Sequence, residues 1–175
     1  MKTLKKEECD LLMQLISTHY PNQQILHLTD GSNNLHQALF EFTKAKAHEY
    51  DLRMVNTEIN DLPIQEHKEI FIKPLDINAK AYNQHSKKYE NIFVTLNPEY
   101  IEADAVGMFK KFFRIMKNAG VVVILIPKGE PLLDTIDKKL EESYFVAINH
   151  IDIFDDIDVV TAKKLHGWGA YQVGF

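Results

Sequence analysis

One run of residues decides which folds are open to this chain. From Val121 to Ile126, in GVVVILIP, every position is apolar. A strand with one face in water alternates apolar and polar residues. A strand apolar on both alternations is buried on both faces, as in the middle of a parallel sheet. The run is far too short to span a bilayer, which takes about 20 residues. It therefore predicts a central strand with helices packed above and below.

The rest of the chain supplies those helices and the neighbouring strands. Leu11, Leu12, Leu15 and Ile16 recur at helical spacing and predict a helix over roughly residues 5–19, broken by YPNQ. QILHL (24–28) reads as a strand, and Leu35, Ala38, Leu39 and Phe42 form the stripe of a helix reaching Ala47. DLRMVN and EIFIKPL read as the second and third strands. NAKAYNQHSKKYE is polar and weakly helical, and NIFVTL is a fourth strand. Val106, Phe109, Phe113 and Met116 predict an amphipathic helix ending near Asn118-Ala119-Gly120. Leu133, Ile136 and Leu140 mark another helix. SYFVAINHIDIF and DVVTAKKL are separated only by DDI, so those two strands must be antiparallel. AYQVGF would lengthen the last strand or pair separately.

Strands alternating with helices give a parallel sheet covered on both sides. The expected architecture is an α/β three-layer αβα sandwich. Its Rossmann-like sheet is mostly parallel and seven-stranded, with a C-terminal antiparallel hairpin. At 175 residues the chain reads as one domain, 1–175, with residues 1–20 a helix ahead of the sheet. A formal charge of −5 argues against non-specific binding to nucleic acid or anionic membrane. Cys9 is the one cysteine, which excludes an intrachain disulfide and fits a cytoplasmic protein. The start, MKTLKKEECD, has no apolar run behind its lysines, so no signal peptide is expected.

Three stretches carry chemistry-bearing residues. The first is HLTDGSNN, between a strand and a helix, where Gly31 supplies a bend and Ser32, Asn33 or Asn34 can cap the helix. The second is the pair of strand ends MVNTE and KPLDIN, which offer Asn56, Glu58 and Asp76. The third is VTLNPEYI after the fourth strand, with Asn97, Pro98 and Tyr100. All fall at carboxyl ends of strands, where open α/β sheets bind ligands.

With the element order, these stretches make the chain resemble the class I S-adenosylmethionine-dependent methyltransferases, from about Gln24 to Phe175. The resemblance implies that Thr29, Asp30, Gly31, Ser32 and Asn33 wrap the cofactor. It sets Asn56 and Glu58 at the ribose and Asp76 near the adenine amine. NPEY resembles the Asp/Asn-Pro-Pro-aromatic motif of amino-group methyltransferases. By that resemblance Asn97 holds the target nitrogen, Tyr100 stacks on the target and Pro98 belongs to the substrate side. The sequence departs from the family where His27 replaces an acid, Thr29 and Asn33 replace glycines, and Glu99 replaces a proline.

The implied function is methylation of an amino nitrogen with S-adenosylmethionine. The rival is a non-catalytic relative that binds a small molecule or a protein partner, or assembles as a homodimer through the hairpin or the tail. No metal is expected, because His27, His36, His48, His67, His85 and His150 are scattered without ligand spacing. His27 reads as a core histidine, and Asp152, Asp155, Asp156 and Asp158 as a solvated turn. Trp168 reads as a lid on the core or a contact to another subunit.

Overall fold

The computed structural model describes residues 3–17, 19–55 and 68–165. Within them run the helices α1 (Lys6–Met13), α2 (Leu35–Lys46), α3 (Pro98–Glu102), α4 (Ala105–Ile115) and α5 (Ile136–Glu141). The strands are β1 (Gln24–Thr29), β2 (Glu49–Met54), β3 (Ile70–Pro74), β4 (Tyr89–Thr95), β5 (Met116–Pro127), β6 (Phe145–Ile151) and β7 (Ile157–Lys164). They form one sheet in the order β3-β2-β1-β4-β5-β7-β6. The first five are parallel, and β7 runs antiparallel between β5 and β6. The expected α/β sandwich with its closing hairpin is thus the observed one.

Alternation along each strand sorts the core into two layers. Val122, Ile124 and Ile126 of β5 face α4 and α5, whereas Val123 and Leu125 face the side of α1 and α2. In β4, Ile92 and Val94 take the first side and Phe93 the second. All of these are fully buried, as a strand covered on both faces requires. The chain runs β1, β2, β3 outward in one direction, then returns to place β4 on the other side of β1. That reversal opens a crevice beyond the carboxyl ends of β1 and β4.

Three local expectations are corrected. The N-terminal helix does not run over 5–19: α1 stops at Met13. The chain then tightens into i→i+3 bonds from Leu15 to Leu12 and Ile16 to Met13. Ile16 is still buried, but Leu11 of the expected stripe is exposed.

Helix α4 ends at Ile115, not near 118–120. Its last carbonyls are claimed from outside. Lys87 N–H and Lys88 N–H donate to Arg114 O and Ile115 O at 3.2 and 2.7 Å. The Lys164 ammonium donates to Phe113 O and Met116 O at 2.6 and 2.9 Å. Met116 then pairs with Tyr89 as the start of β5, and the pairing resumes at Asn91–Val121 after a bulge. Asn118-Ala119-Gly120 lies in that bulge, with Ala119 left-handed at a φ of 63°. The buried face of α4 is Ala105, Met108, Phe109, Phe112 and Ile115, rather than the expected Val106-Phe109-Phe113-Met116 stripe.

The 78–90 stretch contains no helix. Its short polar side chains bond their own backbone instead: Asp76 Oδ1 accepts from Asn78 N–H and Asn83 Oδ1 from His85 N–H, both at 2.9 Å. The expectation for AYQVGF, and that for Trp168, lies outside the described residues.

Candidate functional site

Strand β1 ends at Thr29, which is wholly buried. Its Oγ1 accepts from Gly31 N–H at 3.0 Å, and its carbonyl accepts from Val55 N–H at 2.9 Å. Gly31 has a φ of 81°, the left-handed region that glycine enters without strain. Thr29 and Asn33 stay out of that region, so the loop requires only one glycine. Asn33, 4% exposed, turns its Oδ1 inward to accept from Leu35 N–H, the first amide of α2, at 2.9 Å, one residue ahead of the N-cap Asn34. Asn34 is drawn to the N-terminal segment instead, exchanging two hydrogen bonds with Leu4.

Asp30 joins two of the nominated stretches. One carboxylate oxygen accepts from Ser32 N–H at 2.9 Å, and the other from Asn97 N–H at 2.8 Å. The loop after β1 is thereby bolted to the turn after β4. Asn97 begins α3 as its N-cap, with an exposed side chain that makes no capping bond. Pro98 is buried at the first helical position, where a missing N–H costs nothing. Tyr100 N–H donates to Asn97 O at 3.0 Å, which fixes the turn.

Below this loop His27 is sealed in the core. Its Nδ1 lies 2.9 Å from Tyr50 Oη and its Nε2 lies 2.8 Å from Thr95 Oγ1. Tyr50 also reaches His36 O at 3.4 Å. If Tyr50 donates there, His27 donates from Nδ1 and accepts at Nε2. Burial pushes the His27 pKa well below the usual imidazole value, so the ring is neutral. It does not take the place of a pocket carboxylate. One polar atom nearby, Ser32 Oγ, is buried with no hydrogen-bond partner among the described residues.

Beyond the carboxyl ends of β2 and β3, against α3 and α4, lies a cleft of about 300 Å³. Its walls include Val55, Asp76, Tyr82, Tyr100, Met108 and Lys111. Lys111 Nζ sits 4.8 Å from the Tyr82 ring centroid and donates to Ile77 O at 3.3 Å. Tyr82 donates to the same carbonyl at 2.9 Å, and its burial raises its pKa. The Asp76 side chain, exposed at the end of β3, is one charged wall, and Lys111 is another.

Solved structures share this fold. The chain matches a CurJ carbon methyltransferase with a TM-score of 0.68 at 12% identity, covering 87% of this chain and 51% of that one. It matches the trans-methyltransferase CalH, solved with S-adenosylhomocysteine, with a TM-score of 0.68 at 14% identity, covering 87% and 54%. The fold is that of the class I methyltransferases.

A TehB-like S-adenosylmethionine-dependent methyltransferase from Corynebacterium glutamicum matches with a TM-score of 0.61 at 12% identity, over 89% of this chain and 86% of that one. This chain spans about half the length of the CurJ and CalH methyltransferases. Its sequence matches no protein-family model and no curated protein.

Within this methyltransferase fold the nominated residues fall into two places. Asp76 and Tyr100 share the cleft. Thr29, Asp30, Gly31, Ser32 and Asn33 form the neighbouring loop, tied through Asp30 to Asn97. Asn56 and Glu58 lie outside the described residues. Tyr82 and Lys111 are cleft walls that sequence reasoning did not nominate. Tyr82 is one of two tyrosines in the polar 78–90 stretch and Lys111 one of two adjacent lysines on α4, so neither stands out by residue type or spacing.

No group of three His, Cys, Asp or Glu side chains able to hold a metal occurs among the described residues. The acidic turn is partly matched by cations. Asp152 pairs with Lys128, Asp155 with Lys5 at 3.8 Å, and Asp158 with His150 at 3.5 Å. Among the described residues, no helix is long and apolar enough to cross a membrane.

Proposed function

We propose that this chain binds S-adenosylmethionine in the cleft beyond β2 and β3 and methylates an amino nitrogen. The observation that carries the reading is the meeting of Asp76 and Tyr100 in one cleft at the carboxyl edge of the sheet. An exposed carboxylate suits the amine of an adenine, and the Tyr82 ring suits a flat apolar group. CalH was solved with S-adenosylhomocysteine, and so was a phosphoethanolamine N-methyltransferase from Haemonchus contortus that shares the fold.

Bound, the cofactor supplies a methyl group on an electrophilic sulfonium. The chain's part is to hold and orient. Asn97 offers an exposed amide oxygen to the N–H of a target amine, leaving the nitrogen lone pair free. Tyr100 offers a ring to stack on a planar target. Asp30 keeps the Asn97 turn in register with the loop after β1. Such positioning is the main work of a transferase whose electrophile arrives with the cofactor.

One observation favours the rival, a non-catalytic binding or assembly module. Thr29 Oγ1, the Asp30 carboxylate and Asn33 Oδ1 are already bonded within the chain, and His27 is sealed away. Thermal-shift titrations with S-adenosylmethionine and S-adenosylhomocysteine separate the readings. A ligand at a hundredfold its Kd stabilises by about 2.7 kcal/mol. That raises the Tm of a chain this size by about 5–10 °C. Asp76→Ala should weaken the shift. No shift at millimolar ligand would leave the binding-module reading, which in turn requires a dimer or a captured partner in solution.

A further inference from the structure

A second cleft lies on the α4 side of the sheet, over its β2–β3 edge. Both strands alternate strictly. Tyr50, Leu52, Met54, Ile70 and Ile72 turn to the α1–α2 side and are buried. Asp51, Arg53, Phe71 and Lys73 turn the other way and line a cleft of about 400 Å³. Elsewhere on that face α4 and α5 cover the sheet. Here the cover is the irregular 75–88 connection, which adds Asn83, His85 and Lys88 to the walls.

The charge of these walls is opposite to that of the chain. Arg53, Lys73 and Lys88 stand against one carboxylate, Asp51, a formal +2 in a protein of net −5. Asp51 is 2% exposed and already committed. It takes Arg53 Nε and Nη2 at 2.6 and 2.9 Å and Tyr89 Oη at 2.6 Å. The guanidinium is held rigidly in this way. Among the described residues two of its five N–H donors are used, which leaves a planar fork for an acceptor.

Lys73 makes no ion pair among the described residues, and its ammonium lies 5.7 Å from the Phe71 ring centroid. Lys88 lies 6.0 Å from the same centroid; it pairs with Glu49 at 2.8 Å, which is not a wall of the cleft, and lies 4.0 Å from Asp51, which is. Two ammonium groups therefore flank one phenyl ring, beside a fixed guanidinium. Cations of this kind suit the oxygens of an oxyanion. Even with Glu49 beside Lys88 the cluster keeps a formal excess of one positive charge, which favours an oxyanion, and Phe71 gives the ligand's organic part an apolar wall.

We propose that this cleft binds a small phosphomonoester carrying a flat apolar group. Phosphate oxygens meet Arg53, Lys73 and Lys88, and the apolar group rests on Phe71. The site is separate from the methyl-transfer cleft, with Tyr82 the wall they share.

The test is calorimetric titration of the full chain at low ionic strength with phenyl phosphate, inorganic phosphate and benzoate. Phenyl phosphate should bind saturably, about fivefold or more tighter than either control. Lys73→Glu should weaken it by about tenfold or more. Because Lys73 is exposed and makes no ion pair among the described residues, that variant should keep the wild-type Tm. Arg53→Lys, which retains the charge and loses the fork, should also weaken binding. Asp76→Ala, in the other cleft, should bind phenyl phosphate as the wild type does, even if it no longer responds to S-adenosylmethionine. The proposal is overturned if phenyl phosphate gives no saturable heat, if benzoate or inorganic phosphate binds as tightly, or if folded Lys73→Glu binds unchanged.

Discussion

Replacing Asp30 by alanine should loosen the crevice without touching the core. The wild-type carboxylate accepts from Ser32 N–H at 2.9 Å and from Asn97 N–H at 2.8 Å, so one side chain spans two loops 67 residues apart in sequence. Hydrogen bonds to a charged acceptor contribute about 1.5–3 kcal/mol each when buried. Asp30 is only half-buried, and water replaces it at the freed N–H groups. The net loss for Asp30→Ala is therefore about 1–2 kcal/mol. For a chain of this length that lowers Tm by about 2–8 °C. Asp30→Asn keeps one acceptor oxygen and turns the other end into a donor facing a donor, so it should not recover the wild-type Tm. Thermal and urea unfolding of the three proteins measure this directly. If Asp30→Ala melts within about 1 °C of wild type, the tie between the two loops contributes nothing and the reasoning fails.

Other perturbations test the surrounding architecture. Tyr50→Phe removes the hydroxyl beside His27 Nδ1 and leaves a buried ring nitrogen unpaired, a loss of about 1–3 kcal/mol in urea unfolding; an unchanged midpoint would contradict the assigned bond. Lys164→Met removes the ammonium from Phe113 O and Met116 O at the end of α4, and should destabilise by about 1–3 kcal/mol; wild-type stability would show that those carbonyls need no cap. His150 bonds to Asp137 at 2.8 Å and to Asp158, which raise its pKa. A raised histidine stabilises fully below its unfolded pKa of about 6.5, and that contribution is lost as pH rises through the folded value. His150→Gln should therefore be less stable than wild type near pH 6 and match it near pH 9 (both approximate); a constant difference across that range would remove the linkage. His27, His36 and His48 are lowered by burial, so they act in the opposite sense. Their contribution is present above about pH 6.5 and lost as pH falls through their folded values.

The sheet was legible because its signal is repeated along every strand. Val121–Ile126 could only be buried on both faces, and the DDI spacer could only join antiparallel strands. The end of α4 was not legible, because what stops it lies far away in sequence. Lys87, Lys88 and Lys164 take its last carbonyls, and no local periodicity reports that. Asn118-Ala119-Gly120 looked like a helix terminus because a bulge needs the same left-handed backbone as a helix end.

The site was legible by position and not by contact. Gly31 was readable, since the loop needs one left-handed residue. Thr29 and Asn33 looked like lost glycines, yet both adopt ordinary backbone and turn their side chains inward to bond the loop itself. The Asp30–Asn97 bond and the Tyr82–Lys111 wall join segments that only the folded sheet brings together.

The central claim is that a nucleoside cofactor occupies the cleft walled by Asp76 and Tyr100. Backbone amide chemical-shift mapping during a titration with S-adenosylhomocysteine tests it most directly. The account predicts saturable shifts clustered at Val55, Asp76, Ile77 and Tyr100 and in the 29–33 loop, with the β6–β7 hairpin unmoved. Millimolar ligand that moves no amide, or moves only residues remote from that cleft, would contradict it.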